Sequence, residues 1–155
     1  MEIKQYTREH HKRCIEICES NTPRYFSADE WEGLEIWLTG QDEARTAYKN
    51  TEAEFFYVLE DDGIVVGCGG FYIVKGEPIA NLVWGMVHSD MHNRGFGTQV
   101  FEYRISQIKS KYPEHRVILD TTQHTYKFFE KQGFCVAQIR KDFYGVGLDR
   151  HDMVL

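Results

Sequence analysis

This chain of 155 residues contains no apolar run long enough to cross a membrane, and its first five residues, MEIKQ, do not begin a signal peptide. It also has no block rich in lysine and arginine, since 24 acidic residues outnumber 18 basic ones and give a net charge of −6. These absences argue against a membrane protein, a secreted protein and a protein whose main partner is nucleic acid or an anionic membrane. We therefore expect a cytoplasmic protein.

Cysteine is scarce, and its spacing follows no metal or redox motif. The four cysteines are Cys14, Cys18, Cys68 and Cys135, and no two of them form a CxxC pair. We interpret them as small buried apolar residues that remain reduced.

A histidine pair, His88 and His92, has the spacing of metal ligands and encloses Asp90. A metal-binding protein that uses these three side chains is one alternative. No thiol or carboxylate cluster completes such a site, so we expect no bound metal.

The apolar pattern predicts one domain over residues 1–155, since no repeat, low-complexity segment or linker divides it. Strands are predicted at 2–6, 54–60, 64–74, 79–87, 117–120, 134–139 and 153–155, and helices at 8–19, from 27 onward, after the glycines at 95 and 97, and at 124–132. Three consecutive strands form a meander before the third helix. This order indicates an α/β protein of the α+β type, with a mixed, mostly antiparallel sheet flanked by about four helices.

Gly95 and Gly97 lie where a long predicted strand gives way to a helix. The free N–H groups of such a helix start, aided by the helix dipole, bind phosphate oxygens. A P-loop would require Gly-Lys-Ser/Thr, but Gly97 is followed by Thr98-Gln99. A dinucleotide-binding GxGxxG loop is excluded as well, because Val100 replaces its last glycine.

Two segments resemble signatures of the GNAT superfamily of N-acetyltransferases. Residues 87–98, VHSDMHNRGFGT, are similar to its loop Arg/Gln-x-x-Gly-x-Gly/Ala after a strand, and residues 129–134, FEKQGF, are similar to its helix ending Tyr-Glu-Lys-x-Gly-Phe. The resemblance implies a GNAT-like fold with a splayed pair of central strands. It also implies transfer of an acetyl group from acetyl-coenzyme A to a primary amine, by direct attack of the amine on the thioester.

The resemblance further implies which residues bind the cofactor. The backbone amides of residues 93–98 would hold the pyrophosphate, and the end of the central strand would bind the pantetheine arm. The cofactor-binding residues implied in this way are Met86, Val87, His92, Asn93, Arg94, Gly95, Gly97, Thr98, Thr122, Phe129 and Lys131.

The main departure from the family pattern is Phe129, where many members have the tyrosine that protonates the departing thiolate. Tyr126 lies three residues earlier, on nearly the same helix face, and is the first candidate for that acid. No carboxylate lies in strand 79–87, so the base would be reached through water, with His124, His88 or Asp120 as candidates. A smaller departure is His92, where the family prefers arginine or glutamine.

The acceptor is expected to lie near Tyr25 and Phe26, between the first two helices, and near Tyr144, in a loop before the last strand. Glu30 or Asp149 would attract an ammonium group there. A small amine, an amino acid, an antibiotic, a peptide N-terminus and a lysine all remain open.

Phe129 and the missing strand carboxylate also motivate an alternative function, a non-catalytic acyl-coenzyme A-binding sensor or regulatory module. Dimers are common among the proteins that the chain resembles, and the sequence does not decide between a monomer and a homodimer.

Overall fold

The computed structural model describes all 155 residues. Its elements are β1 Glu2–Gln5, α1 His11–Ser20, α2 Glu30–Asp42, β2 Thr51–Asp61, β3 Ile64–Val74, β4 Ile79–Val87, α3 Phe96–Lys111, β5 Arg116–Thr121, α4 Tyr126–Lys131, β6 Cys135–Gly145 and β7 Leu148–Val154. The predicted fold class, a mixed α/β domain with four helices, is confirmed. None of the helices combines the length and apolar character needed to span a membrane.

The seven strands form one sheet in the order β1-β2-β3-β4-β5-β7-β6. All neighbouring strands are antiparallel except β4 and β5. The β2–β3 hairpin turns at Asp62 and Gly63, which both have positive φ, as the tightest hairpin turn requires. The meander predicted from the sequence is therefore present.

The parallel strands β4 and β5 diverge after a short paired segment. They pair only where Ile79–Asn81 of β4 meets Arg116–Ile118 of β5. Beyond this segment β4 continues to Val87 with its β5-facing edge unpaired. An irregularity in the β3–β4 pairing accompanies the divergence, and there Trp84 adopts a φ of 51°, a left-handed conformation that is rare for a bulky residue. The splayed pair of central strands is confirmed, and it opens a groove in the middle of the sheet.

The core consists of two main layers, one on each face of the sheet. On one face, α1 and α2 pack against the sheet around the buried side chains of Trp37 and Phe56. On the other, α3 packs around Phe71 and Ile108.

The prediction that all four cysteines are buried is wrong for one of them. Three of them, Cys14, Cys18 and Cys68, lie in the core, whereas Cys135 is exposed. It is exposed because it begins β6, the strand at the edge of the sheet.

Strand β6 is longer than predicted, and helix α4 is shorter. Residues 140–144 belong to β6, so Tyr144 lies in a strand and not in the predicted loop. Nearly all of β6 is exposed on both faces, so it carries no alternation of apolar and polar residues that would reveal its length.

Candidate active site

The splay between β4 and β5 opens into a groove with a volume of about 790 Å³. One wall consists of residues 81–87 of β4, the other of residues 119–121 of β5 and the residues after them, and the start of α3 closes one end. The volume is in the range that small-molecule and cofactor sites occupy. This groove is the candidate active site.

The loop that leads into α3 presents unpaired backbone donors. The N–H groups of residues 93–98 have no hydrogen-bond acceptor in the protein. Two residues of positive φ, Asn93 (62°) and Gly95 (82°), turn the chain here, and Gly95 caps a helix of 16 residues. Free donors at the positive end of a helix dipole favour an anion such as a diphosphate.

Most of the cofactor-binding residues expected from the sequence line this groove. The lining includes Met86, Val87, His92, Asn93, Gly95, Gly97, Thr98, Thr122 and Phe129. Arg94 and Lys131 do not belong to the lining, and both are exposed. Their side chains therefore face solvent.

His92 fastens the loop to the end of β4. Its Nε2 lies 2.9 Å from the carbonyl oxygen of Val87, which also accepts a hydrogen bond of 2.9 Å from Asn21 Nδ2. The ring contacts Tyr25 edge to face, with centroids 5.5 Å apart. His92 thus positions the backbone of the loop relative to β4.

Tyr126 lies outside the groove. Its ring stacks on that of His151 with centroids 4.6 Å apart, and it packs against the core beneath α4. Phe129, by contrast, reaches the groove from an aromatic cluster with Phe101 and Phe134. The Tyr126 side chain therefore does not line the groove, and the expected role of Tyr126 as proton donor stays a prediction.

Three oxygen-bearing side chains converge in the groove, namely Glu30, Asp120 and Tyr144. The Tyr144 hydroxyl donates a hydrogen bond to Asp120 Oδ2, and burial together with the Asp120 charge raises the pKa of Tyr144. Glu30 Oε2 accepts a hydrogen bond of 2.7 Å from Ser27 N. Burial raises the pKa of Glu30 to about 7, against the opposing effect of that bond and with a further contribution from Asp120. A carboxyl that titrates near neutrality is suited to accept and release protons.

Aromatic side chains cover the side of the groove that faces α2. Phe26 stacks on Trp84 with ring centroids 6.1 Å apart, and Trp84 Nε1 donates a bond of 2.9 Å to the Tyr48 hydroxyl. Tyr25 lies beside His124, with centroids 6.0 Å apart. The structure therefore brings together the three acceptor residues expected from the sequence, Tyr25, Phe26 and Tyr144, along one groove.

The remaining histidine candidates differ in position. His124 lines the groove but is largely exposed. His88 Nδ1 accepts a hydrogen bond of 3.3 Å from Asp90 N. No group of three or more His, Cys, Asp or Glu side chains is placed to share a metal ion.

Two groove residues were underestimated from sequence. From the sequence, Glu30 is expected only to attract an ammonium group, and Arg104 is not among the predicted residues. The available signal for Arg104 was its place on the apolar stripe of α3, one turn after Phe101 and one before Ile108, where a charged residue is unusual.

Comparison with known proteins gives consistent results. An amino-acid acetyltransferase from Vibrio vulnificus (strain CMCP6) is 29% identical over 98 residues, which are 63% of this chain and 20% of that protein. The chain thus spans about a fifth of the length of such curated relatives.

Solved structures share the fold at low identity. The ribosomal-protein-S18-alanine N-acetyltransferase from Escherichia coli superposes with a TM-score of 0.77 and 17% identity, over 99% of this chain and 92% of that chain. An aminoglycoside 6'-N-acetyltransferase complexed with coenzyme A gives a TM-score of 0.74 and 15% identity, over 100% of this chain and 96% of that chain. The model of the acetyltransferase (GNAT) family matches residues 12–134. Because that match covers well over half of the sequence, the chain belongs to the acetyltransferase (GNAT) family.

Proposed function

We propose that the protein transfers an acetyl group from acetyl-coenzyme A to a primary amine. The observation that carries this proposal is the continuity between the unpaired edge of β4 and the free amides of residues 93–98, along one groove. Pantetheine contains amides, which need partners, and an open strand edge supplies them. The pyrophosphate that follows would meet the start of α3.

The acidic and aromatic residues at the other side of the groove favour an amine acceptor. Glu30, Asp120 and the ring faces around them attract an ammonium group. Glu30, with a pKa of about 7, accepts a proton from the ammonium and leaves a neutral amine. We assign this base role to Glu30 in preference to His124, which is mostly solvated.

The reaction then proceeds in two steps, the attack of the amine on the thioester and the departure of the thiolate. The amine lone pair forms a C–N bond with the thioester carbon, and the carbonyl electron pair moves onto oxygen. The oxygen pair returns as the C–S bond breaks, and the electrons of that bond leave with sulfur. The amine nitrogen loses its remaining extra proton and the thiolate gains one, which gives an acetamide and coenzyme A. Because an ordinary thiol has a pKa of about 8.5, its thiolate is a good leaving group, and water suffices as its proton source.

Thermal shift and product release test this function. Acetyl-coenzyme A and coenzyme A should raise the melting temperature by mass action, whereas ATP at the same concentration should not match them. Purified protein incubated with acetyl-coenzyme A and pooled amines should then release thiol, with an acetylated amine detected by mass spectrometry. Absence of both binding and transfer would contradict the proposal.

A sensor that binds acyl-coenzyme A without transferring the acyl group is the second candidate. Phe129 favours it, because this groove residue has no hydroxyl with which to protonate the thiolate. The two functions differ in one result: the sensor would be stabilised by acetyl-coenzyme A but would release no thiol with any amine.

A further inference from the structure

Arg104 of α3 is a buried cation without a counter-charge. Only 3% of the residue is exposed. Its Nε donates to Val100 O and its Nη1 donates to Gly70 O, both at 3.3 Å, and Nη2 has no acceptor in the protein. No carboxylate forms an ion pair with it. Burial lowers the pKa of Arg104 to about 10, so the side chain is still charged at neutral pH.

Two glycines make room for this guanidinium. A Cβ atom on Gly85 would lie 2.7 Å from Nη2 and 3.1 Å from Nη1, and one on Gly69 would lie 3.0 Å from Nε. Any side chain at these positions would displace the guanidinium. The backbones of β3 and β4 therefore form a cradle that holds Arg104 directly behind β4.

The cradle opens toward the groove. Arg104, Gly85 and Met86 all belong to the groove lining, and Gly85 lies in the irregular part of β4, after Trp84. The unpaired Nη2 of Arg104 lies beside Gly85, in the stretch of β4 that borders the groove and would hold the thioester end of the pantetheine arm. A buried charge without a counter-charge is unfavourable, so an oxygen that brings negative charge to this place is stabilised strongly.

We infer that Arg104 is a catalytic residue that donates an Nη2 hydrogen bond to the carbonyl oxygen of the acyl thioester. This inference rests on the proposed function, because it requires the thioester to lie against β4. When the amine forms the C–N bond, the carbonyl electron pair moves onto this oxygen, and the guanidinium stabilises the resulting oxyanion until the C–S bond breaks and the pair returns. A fixed cation in a water-poor site is effective in this role because it needs no reorganisation.

Substitution of Arg104 tests the inference through kcat. In Arg104→Met, which keeps the apolar volume but removes the donor, we expect kcat to fall on the order of 100-fold, as it does when one oxyanion donor is lost. The Kd of acetyl-coenzyme A should rise less than about tenfold, the value of a single hydrogen bond in the ground state. The kcat of Arg104→Lys should lie between that of the wild-type protein and that of Arg104→Met, because lysine keeps the positive charge but has a shorter side chain. Arg45→Met serves as the control, because this arginine is exposed, lies outside the groove lining and has no proposed role in binding or catalysis.

Infrared spectroscopy separates a catalytic role from a structural one. The carbonyl stretch of bound, ¹³C-labelled acetyl-coenzyme A should move to lower frequency in the wild-type protein, and Arg104→Met should abolish that shift. This measurement on wild-type protein also tests the inference if Arg104→Met fails to fold. An unshifted wild-type carbonyl, or an unchanged kcat in folded Arg104→Met, would overturn the role of Arg104 while leaving acetyl transfer intact. Wild-type protein that neither binds acetyl-coenzyme A nor transfers the acetyl group would overturn both proposals.

Discussion

At the scale of single residues, Glu30 serves both the fold and the site. It accepts the backbone N–H of Ser27 from the turn that precedes α2, and its carboxylate also lines the groove. Burial and the nearby Asp120 disfavour its charged form. Because this hydrogen bond fixes the side chain, the carboxyl is held in the groove at a pKa suited to proton transfer.

Glu30→Gln tests this assignment. Glu30 must be ionised to accept a proton, so wild-type kcat/KM should rise with pH through about 7 and level off above it. Glutamine keeps an acceptor for Ser27 N but cannot take up a proton, so we expect kcat/KM to fall by about 100-fold or more and the rise near pH 7 to vanish. The value of kcat/KM and its dependence on pH are both measured from the rate of thiol release at a series of pH values.

The control is Glu32→Gln, which changes an exposed carboxylate in the first turn of the same helix. It should leave both the rate and the pH profile unchanged. A Glu30→Gln protein that retains the wild-type profile would exclude Glu30 as the base.

Sequence reasoning identified the groove residues at the start of α3 better than the charged residues elsewhere in the groove, and the reason is physical. Gly95 and Gly97 indicate that the backbone itself binds a ligand. The position of those backbone groups depends on residues that are close together in the sequence. Tyr126 had the right helical spacing to Phe129, but its ring stacks on His151, a residue from a distant strand. The partners of Glu30 and Arg104 are likewise set by tertiary packing, which no local pattern displays.

At the scale of elements, the start of α3 is the part of the groove most sensitive to charge. Gly97 is its second residue, and a Cβ placed there meets only the ring of Phe128, at 4.0 Å. A side chain therefore fits at this position without disturbing the fold. What it changes is the electrostatic potential at the free amides.

Gly97→Glu should weaken cofactor binding without lowering the stability of the free protein. A carboxylate in the first turn interacts favourably with the helix dipole, so the melting temperature of the free protein should stay the same or rise. The same carboxylate repels a diphosphate, and we expect the Kd of acetyl-coenzyme A, measured by calorimetry, to rise at least about tenfold.

The matched control adds the same charge away from the loop. Ser106→Glu lies at an exposed position of α3, beyond the groove lining, and should leave the Kd near its wild-type value. If Gly97→Glu binds acetyl-coenzyme A as tightly as Ser106→Glu, the amides of residues 93–98 do not hold the diphosphate.

The bounds of β3 and β4 agree with the sequence, whereas those of β6 do not. Both strands lie in the middle of the sheet, and a buried strand needs an unbroken apolar run that turn residues end abruptly. The edge strand β6 is held by backbone pairing with β7 and needs no such run. Its last residues, with Tyr144 among them, looked like loop for that reason.

At the scale of the whole molecule, the sheet consists of two parts that meet weakly. The part β1–β4 joins the part β5–β7 through three paired positions of β4 and β5. The groove lies where this pairing ends, with residues of both parts in its walls. A ligand that fills the groove contacts both parts, which is why binding of the proposed cofactor should stabilise the whole domain.

Away from the groove, an ionic cluster joins the start of α1 to α2. His11 Nδ1 lies 2.7 Å from Asp42 Oδ2 and His11 Nε2 lies 2.8 Å from Glu35 Oε2, while the Tyr6 hydroxyl donates to Asp42 at 2.8 Å. Burial acts to lower the pKa of His11, but the hydrogen bonds to the two carboxylates outweigh it, and the pKa is raised above its ordinary value of 6.5. The folded state therefore binds this proton more tightly than the unfolded chain does.

The free energy of unfolding of the domain should therefore include a contribution from His11 that disappears at high pH. A raised pKa gives a stabilisation that is complete below the unfolded value of 6.5 and is lost as the pH rises through the folded value. His11→Gln removes this term, so its free energy of unfolding in urea should fall furthest below the wild-type value near pH 5.5 and approach it near pH 9. Glu30 also has a raised pKa, but it is present in both proteins and cancels in the difference.

Asp42→Asn should reduce the same pH dependence, because it removes one of the two carboxylates that hold the proton. A difference between wild type and His11→Gln that stays constant with pH, or grows toward high pH, would show that the cluster binds no extra proton in the folded state.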